Sequence, residues 1–211
     1  MNRYDKTTKR WRNFSVIHGL ADNSVNCLAL DGVLVWAGTK NGLSYYDEFT
    51  GMWLTFDVTQ GLPHPNIRAI AVDGQYIWCG TTGGGLARFD KYDETFRVYT
   101  TTEGLADDFV QSLKLDGSYL WIGTFSGVTK YDKIKNKWIT YTVDDGLSEN
   151  SVSAIEIDGN YIWFGTDGGG VTRFDKEIPQ AIYRHFHTIL SLVRLLSLEP
   201  RLIIKRLNLI K

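Results

Sequence analysis

Four histidines and two cysteines are the side chains of this 211-residue chain best suited to nucleophilic attack or metal binding. Their spacing limits what they can do. His18 and His64 stand alone, and only His185-x-His187 shows ligand-like spacing. Zinc sites need clustered Cys and His, so no metal is expected. Cys27 and Cys79 sit at different places in their local patterns and read as small buried hydrophobes. A disulfide between them would need a geometry that spacing does not supply. Acid–base chemistry needs a His or carboxylate with a tuned pKa. His64 with Asp107 or Glu149, facing each other across the mouth of a ring, is the one set that could provide it. Gly83-Gly84-Gly85 and Gly168-Gly169-Gly170 are not phosphate cradles, since neither a helix nor Lys-Ser/Thr follows. Asp73-Gly74 lacks the Asp/Asn ladder and terminal Glu of a calcium loop. No catalytic residue, metal or cofactor is therefore assigned.

The elements that must carry these residues are legible from a repeat. Trp-x-Gly-Thr occurs at Trp36, Trp78, Trp121 and Trp163, with spacings of 42, 43 and 42 residues. A period near about 40 with short strands and glycine turns means a quasi-repetitive all-β array, most often a β-propeller. In the second copy, Ile67–Val72 alternates as a strand and Asp73-Gly74 turns the chain. The more continuously apolar run Tyr76–Thr81 follows as a strand buried on both faces. Leu86–Phe89 and Phe96–Tyr99 complete four antiparallel strands, one propeller blade. The expected blades span about 24–57, 66–99, 109–142 and 151–175, within a repeat domain of residues 1–176. The four Trp are expected to pack between neighbouring blades, and the Thr to cap a turn. Residues 11–16 match a fourth strand, as Tyr4-Asp5 matches the end of a third, whereas the last repeat lacks its fourth. Two architectures fit: a closed four-blade ring with 11–16 as closing strand, or an open arc of a larger propeller.

Framework positions must repeat, whereas ligand-contacting positions need not. Antiparallel geometry puts the connectors between blades and the second-to-third strand turns on one face, where the copies differ. Asp22, Asn23, Lys40, Asn41, His64, Thr82, Asp107, Asp108, Phe125, Glu149, Asn150 and Asp167 vary there. Carboxylates, amides, one His, one Lys and one Phe suit a polar, hydroxylated ligand, and loops on a rigid scaffold commonly carry function.

The combination of Asp-Gly, an apolar-Trp-x-Gly-Thr strand, an aromatic-Asp strand end and a connector Gly-Leu resembles the two-component regulator propeller repeat. The resemblance covers about residues 4–176. The Gly-His and Trp-Asp pairs of WD repeats are missing, and kelch repeats are longer. The resemblance implies an extracytoplasmic ligand sensor of the kind found in bacterial hybrid sensor kinases, often for carbohydrates. It implies a non-catalytic module for a saccharide or peptide, a small molecule, or a protein partner, with a kinase domain in full-length relatives. Two alternatives stand beside it: a propeller lyase similar to streptogramin lyase, or a non-functional fragment of a larger sensor.

Charge and hydropathy narrow the partners further. Residues 1–176 carry 17 Lys and Arg against 22 Asp and Glu, so a nucleic-acid partner is not expected. No apolar leader opens the sequence and no run approaches the roughly 18 apolar residues of a membrane span, so neither a signal peptide nor a transmembrane segment is expected. After Pro179 the repeat gives way to a basic tail, residues 177–211. Ile182, Phe186, Ile189, Val193 and Leu196 fall at helical spacing there, which predicts an amphipathic helix. Its expected roles are a helix on an exposed blade edge, a membrane-surface helix, or a non-native end.

Overall fold

The structure is a computed structural model and describes residues 1–177. It is all-β and opens with a hairpin, β1 (Asn2–Asp5) and β2 (Arg10–Asn13). Blade I holds β3 (Val25–Asp31), β4 (Leu34–Thr39), β5 (Gly42–Asp47) and β6 (Met52–Phe56). Blade II holds β7 (Ile67–Asp73), β8 (Tyr76–Thr81), β9 (Leu86–Asp90) and β10 (Thr95–Tyr99). Blade III holds β11 (Val110–Asp116), β12 (Tyr119–Thr124), β13 (Val128–Asp132) and β14 (Lys137–Tyr141). Blade IV has three strands among the described residues, β15 (Val152–Asp158), β16 (Tyr161–Thr166) and β17 (Gly170–Asp175). Within each blade, consecutive strands pair antiparallel. The inner strands line up in series, β3 beside β7, β7 beside β11 and β11 beside β15.

The repeated motif is the joint between blades. Trp36, Trp78 and Trp121 are at most 1% exposed, and each packs edge-on or tilted against an aromatic of the following blade: Phe89 at 5.8 Å, Tyr131 at 5.9 Å and Phe174 at 5.5 Å. The motif glycine allows that approach. A Cβ on Gly38 would come within 2.7 Å of Ile67, and one on Gly80 within 2.5 Å of Val110, the residues that open the next blade. The motif threonine closes the turn, as Thr39, Thr81, Thr124 and Thr166 donate to the carbonyls of Gly42, Gly85, Gly127 and Gly170. A second joint recurs below. The Asp that ends the first strand of blades I, II and III pairs with a Lys of the next blade: Asp31–Lys91 (2.5 Å), Asp73–Lys133 (2.6 Å) and Asp116–Lys176 (3.2 Å).

Among the described residues the four blades stand as an open arc, and no ring is closed. Strand β2 pairs with β1, not with β17, and does not complete blade IV. Its partner lies a few residues away across a turn, and Tyr4 faces Trp11 as Tyr46 faces Trp53 and Phe89 faces Phe96. The hairpin is thus the outer half of a blade. It covers the outer part of blade I through Phe14, which is buried against Tyr46 (4.9 Å) and Trp53 (5.7 Å). The inner part of that side of blade I lies bare, with Leu28 at 53% and Leu30 at 76% exposed. At the opposite end Trp163 is 38% exposed, because no described residue stacks on it as a following blade would. The tail helix expected after Pro179 lies outside the described residues.

Candidate functional site

The connectors and the second-to-third strand turns do share one face. The backbone N–H groups of Lys40, Thr82 and Asp167 donate to the carbonyls of Ser24, Asn66 and Ser151, each at 3.0 Å. Gly42 donates to Pro65, and Gly83 and Gly85 both donate to Asp108. The turns of blades I, II and IV are therefore tied to connectors by backbone bonds, and that of blade III by the Ser126 hydroxyl, which donates to Asp107.

Several of the expected site residues serve that framework. Asn23, Asp108 and Asn150 each accept a bond from the backbone N–H seven residues earlier, on Val16, Thr101 and Val143. Asp22 and Asp107 accept from the backbone N–H two residues on, at Ser24 and Phe109, and so build local turns. Asp107 also accepts from the Ser126 hydroxyl at 2.6 Å, and Asp167 from the Ser151 hydroxyl at 2.8 Å. His64 Nδ1 accepts from the Asn66 N–H at 3.1 Å, and Glu149 lies against Gly168 and Gly169. Lys40 and Asn41 are exposed on the blade I turn. His64, Asp107 and Glu149 stand on three successive connectors, and no hydrogen bond or ion pair is found between them. Among the described residues no ring closes to set them face to face.

Two of the expected residues, Thr82 and Phe125, come together in a cleft of about 100 Å³ between blades II and III. Asn66, Arg68, Phe109, Val110 and Gln111 complete its lining. Phe109 and Phe125 are 42% and 49% exposed and stand 5.7 Å apart, tilted by 59°. The Thr82 hydroxyl is buried and has no partner among the described residues. A buried hydroxyl left unpaired is costly, and a ligand group could satisfy it.

Arg68 and Gln111 were not among the expected site residues. Each first strand carries a bulge at its second residue, which falls at Asn26, Arg68, Gln111 and Ser153. Bulges re-aim side chains and recur beside functional sites. Here Asn26, Arg68 and Gln111 turn to the loop face. Asn26 donates to Asn66 Oδ1 at 2.9 Å, and Gln111 donates to the Ser151 hydroxyl at 3.1 Å. The signal in the sequence was the second residue of each first strand, which is polar and differs in every copy: Asn26, Arg68, Gln111 and Ser153. Among the described residues no group of His, Cys, Asp and Glu is placed to hold a metal ion. No helix among them is long and apolar enough to cross a membrane.

The fold defines a β-propeller-type repeat protein with a variable loop face. No protein-family model matches the chain, and no curated protein matches it. Solved structures do. The chain is similar to the extracellular domain of the one-component system BT4673 from B. thetaiotaomicron, with 24% identity and a TM-score of 0.68 over 84% of this chain and 24% of that one. It is also similar to the extracellular domain of the hybrid two-component system BT3049 from the same organism, with 19% identity and a TM-score of 0.59 over 84% and 31%. PorZ, a bacterial surface component of the type-IX secretion system of Porphyromonas gingivalis, matches at 18% identity and a TM-score of 0.62 over 82% and 28%. The likeness to two-component regulator propellers read from the repeats is met by structures of that kind. At these identities the shared property is the fold, and the chain spans about a quarter to a third of each of these structures.

Proposed function

We propose that the chain is a sensing module that binds a saccharide or peptide, without chemistry of its own, at the cleft between blades II and III. The observation that carries this reading is the lining of that cleft. Two tilted, half-exposed rings, Phe109 and Phe125, offer an apolar surface for a sugar ring or an apolar side chain. Around them stand two amides, a guanidinium and the unpartnered Thr82 hydroxyl, a few convergent polar groups in an aromatic setting. The cleft is small against typical ligand pockets of about 300–1,000 Å³. It therefore holds one unit of a longer ligand that runs across the loop face. The extracellular domains with the same fold belong to regulatory systems, which accords with sensing.

An oligosaccharide and peptide array, followed by calorimetric titration of the hits, tests the reading. Phe125→Ala and Phe109→Ala are each expected to weaken binding about tenfold or more, since buried aromatic anchors dominate such sites. Lys40→Ala, on the blade I turn, is expected to leave it unchanged. A ligand whose affinity is the same in the Phe125→Ala and Phe109→Ala variants would place binding elsewhere.

A further inference from the structure

The two end faces of the arc carry the same residue types as its internal joints. At each joint the preceding blade offers a Trp from its second strand and the Asp that ends its first. The following blade offers the aromatic near the end of its third strand, a Lys two residues on and, in blades II and III, an aromatic of its fourth strand. Phe89, Lys91 and Phe96 do this for blade II, and Tyr131, Lys133 and Trp138 for blade III.

Blade IV presents Trp163 and Asp158, both exposed. The N-terminal half-blade presents Tyr4 (44% exposed), Lys6 (exposed) and Trp11 (68% exposed), in the same order and spacing as the following-blade set. Tyr4 and Trp11 already stand ring to ring at 5.0 Å, as Phe89 and Phe96 do at 4.9 Å. We propose that these two faces form one interface, in which the half-blade of a second copy of this chain docks on blade IV. Trp163 then stacks on Tyr4 of the second copy, and Asp158 pairs with its Lys6.

Charge fixes which element docks. Blade I itself carries Glu48 where blades II, III and IV carry Lys91, Lys133 and Lys176, and Glu48 is paired with Arg3 at 2.8 Å. A carboxylate there would repel Asp158, whereas Lys6 attracts it. The contact joins two different surfaces, so it is heterologous and either closes into a ring or propagates as a filament. It also covers the largest exposed aromatic rings at both ends, which suits an interface better than solvent.

Sedimentation of the full chain across a wide concentration range tests the proposal, with two variants. Lys6→Glu breaks the half-blade face and Trp163→Glu breaks the blade IV face. Both positions are exposed, so unchanged thermal unfolding of each variant shows that any loss is one of association. The wild-type chain is expected to gain mass with concentration. Each variant alone should associate at least about tenfold more weakly, since like charges at an interface are costly. Mixed together, the two should form a dimer and nothing larger, because one intact face of each remains. Zero-length carbodiimide coupling should join Asp158 of one copy to Lys6 of another. A monomeric wild-type chain at every concentration, or variants that associate like wild type, would overturn the proposal. So would Asp158 coupled to Lys205 or Lys211 of its own chain, which would mean that residues 178–211 cover blade IV instead.

Discussion

At the scale of single residues, identity of type does not mean identity of role. The four motif tryptophans read alike in the sequence, yet three are sealed between blades and Trp163 is 38% exposed. Trp121→Ala should therefore cost about 3–5 kcal/mol, the range for a large buried aromatic truncated to Ala. Trp163→Ala should cost clearly less, and urea unfolding of the two variants measures the contrast. The turn carboxylates make a second residue-level prediction. The Gln75 amide and then the Tyr92 backbone N–H hold the Asp90 carboxyl below its ordinary range. The Thr59 hydroxyl and N–H do the same for Asp57, and the Thr100 N–H and hydroxyl for Glu103. A carboxylate depressed by folding stabilises the native chain fully above its unfolded pKa of about 4 and loses that effect as pH falls through the folded value. The melting temperature should thus fall below about pH 4. The drop should be shallower in an Asp57→Asn, Glu103→Gln variant. The spacing of Trp-x-Gly-Thr was enough to read the joint residues. It could not separate a loop side chain aimed at a ligand from one bonded to backbone seven residues earlier, which is the role of Asn23, Asp108 and Asn150.

At the scale of elements, the connectors and third strands are matched as donor and acceptor. The N–H groups of Ala21, Ala106 and Ser148 donate to the hydroxyls of Ser44, Thr129 and Thr172, at 3.0, 2.9 and 2.9 Å. Blade II has lost both halves of this bond, with Pro63 where the N–H would be and Ala87 where the hydroxyl would be. Removing both partners of a buried hydrogen bond is nearly neutral, whereas removing one leaves the other unpaired. Ala87 is fully buried, so Ala87→Ser alone should cost about 1–3 kcal/mol. Adding Pro63→Ala should recover about 1 kcal/mol or more of that loss in a double-mutant cycle. Both substitutions are visible in the sequence, but their coupling is not, because it depends on which connector crosses which strand. The same limit explains why residues 11–16 fit a closing strand on paper. A strand's pattern states that it needs a partner, and topology decides which one. The bulges pose the reverse problem, since a polar residue such as Arg68 in an apolar strand looks like a solvent-facing position until the bulge turns it into the cleft.

At the scale of the whole molecule, the chain is a short one-dimensional array, and its stability should vary along its length. Each blade gains stability mainly from the neighbours on its two faces. Blades II and III are flanked on both sides, and their core clusters are built from two blades each. Trp36, Leu43 and Phe56 pack with Ile67, Ile77 and Phe89, and Trp78, Leu86 and Tyr99 pack with Val110, Leu120 and Tyr131. Blade IV shares Trp121, Val128 and Tyr141 with blade III on one face but exposes Trp163 and Val171 on the other. The half-blade is held by the Phe14 cluster, one hydrogen bond from Arg12 to the Tyr46 hydroxyl and the exposed Arg3–Glu48 pair, and such a pair contributes little. Local opening should therefore start at the two ends and spread inward, as opening free energies track buried apolar contact. Hydrogen exchange of the native chain tests this. Amides of β8, β9 and β12 should be the slowest, those of β16 and β17 faster, and those of β1 and β2 the fastest. If the proposed head-to-tail contact forms, raising the concentration should slow exchange in β1, β2, β16 and β17 and leave β8 and β9 unchanged. Uniform protection along the chain would instead mean that the blades open as one cooperative unit.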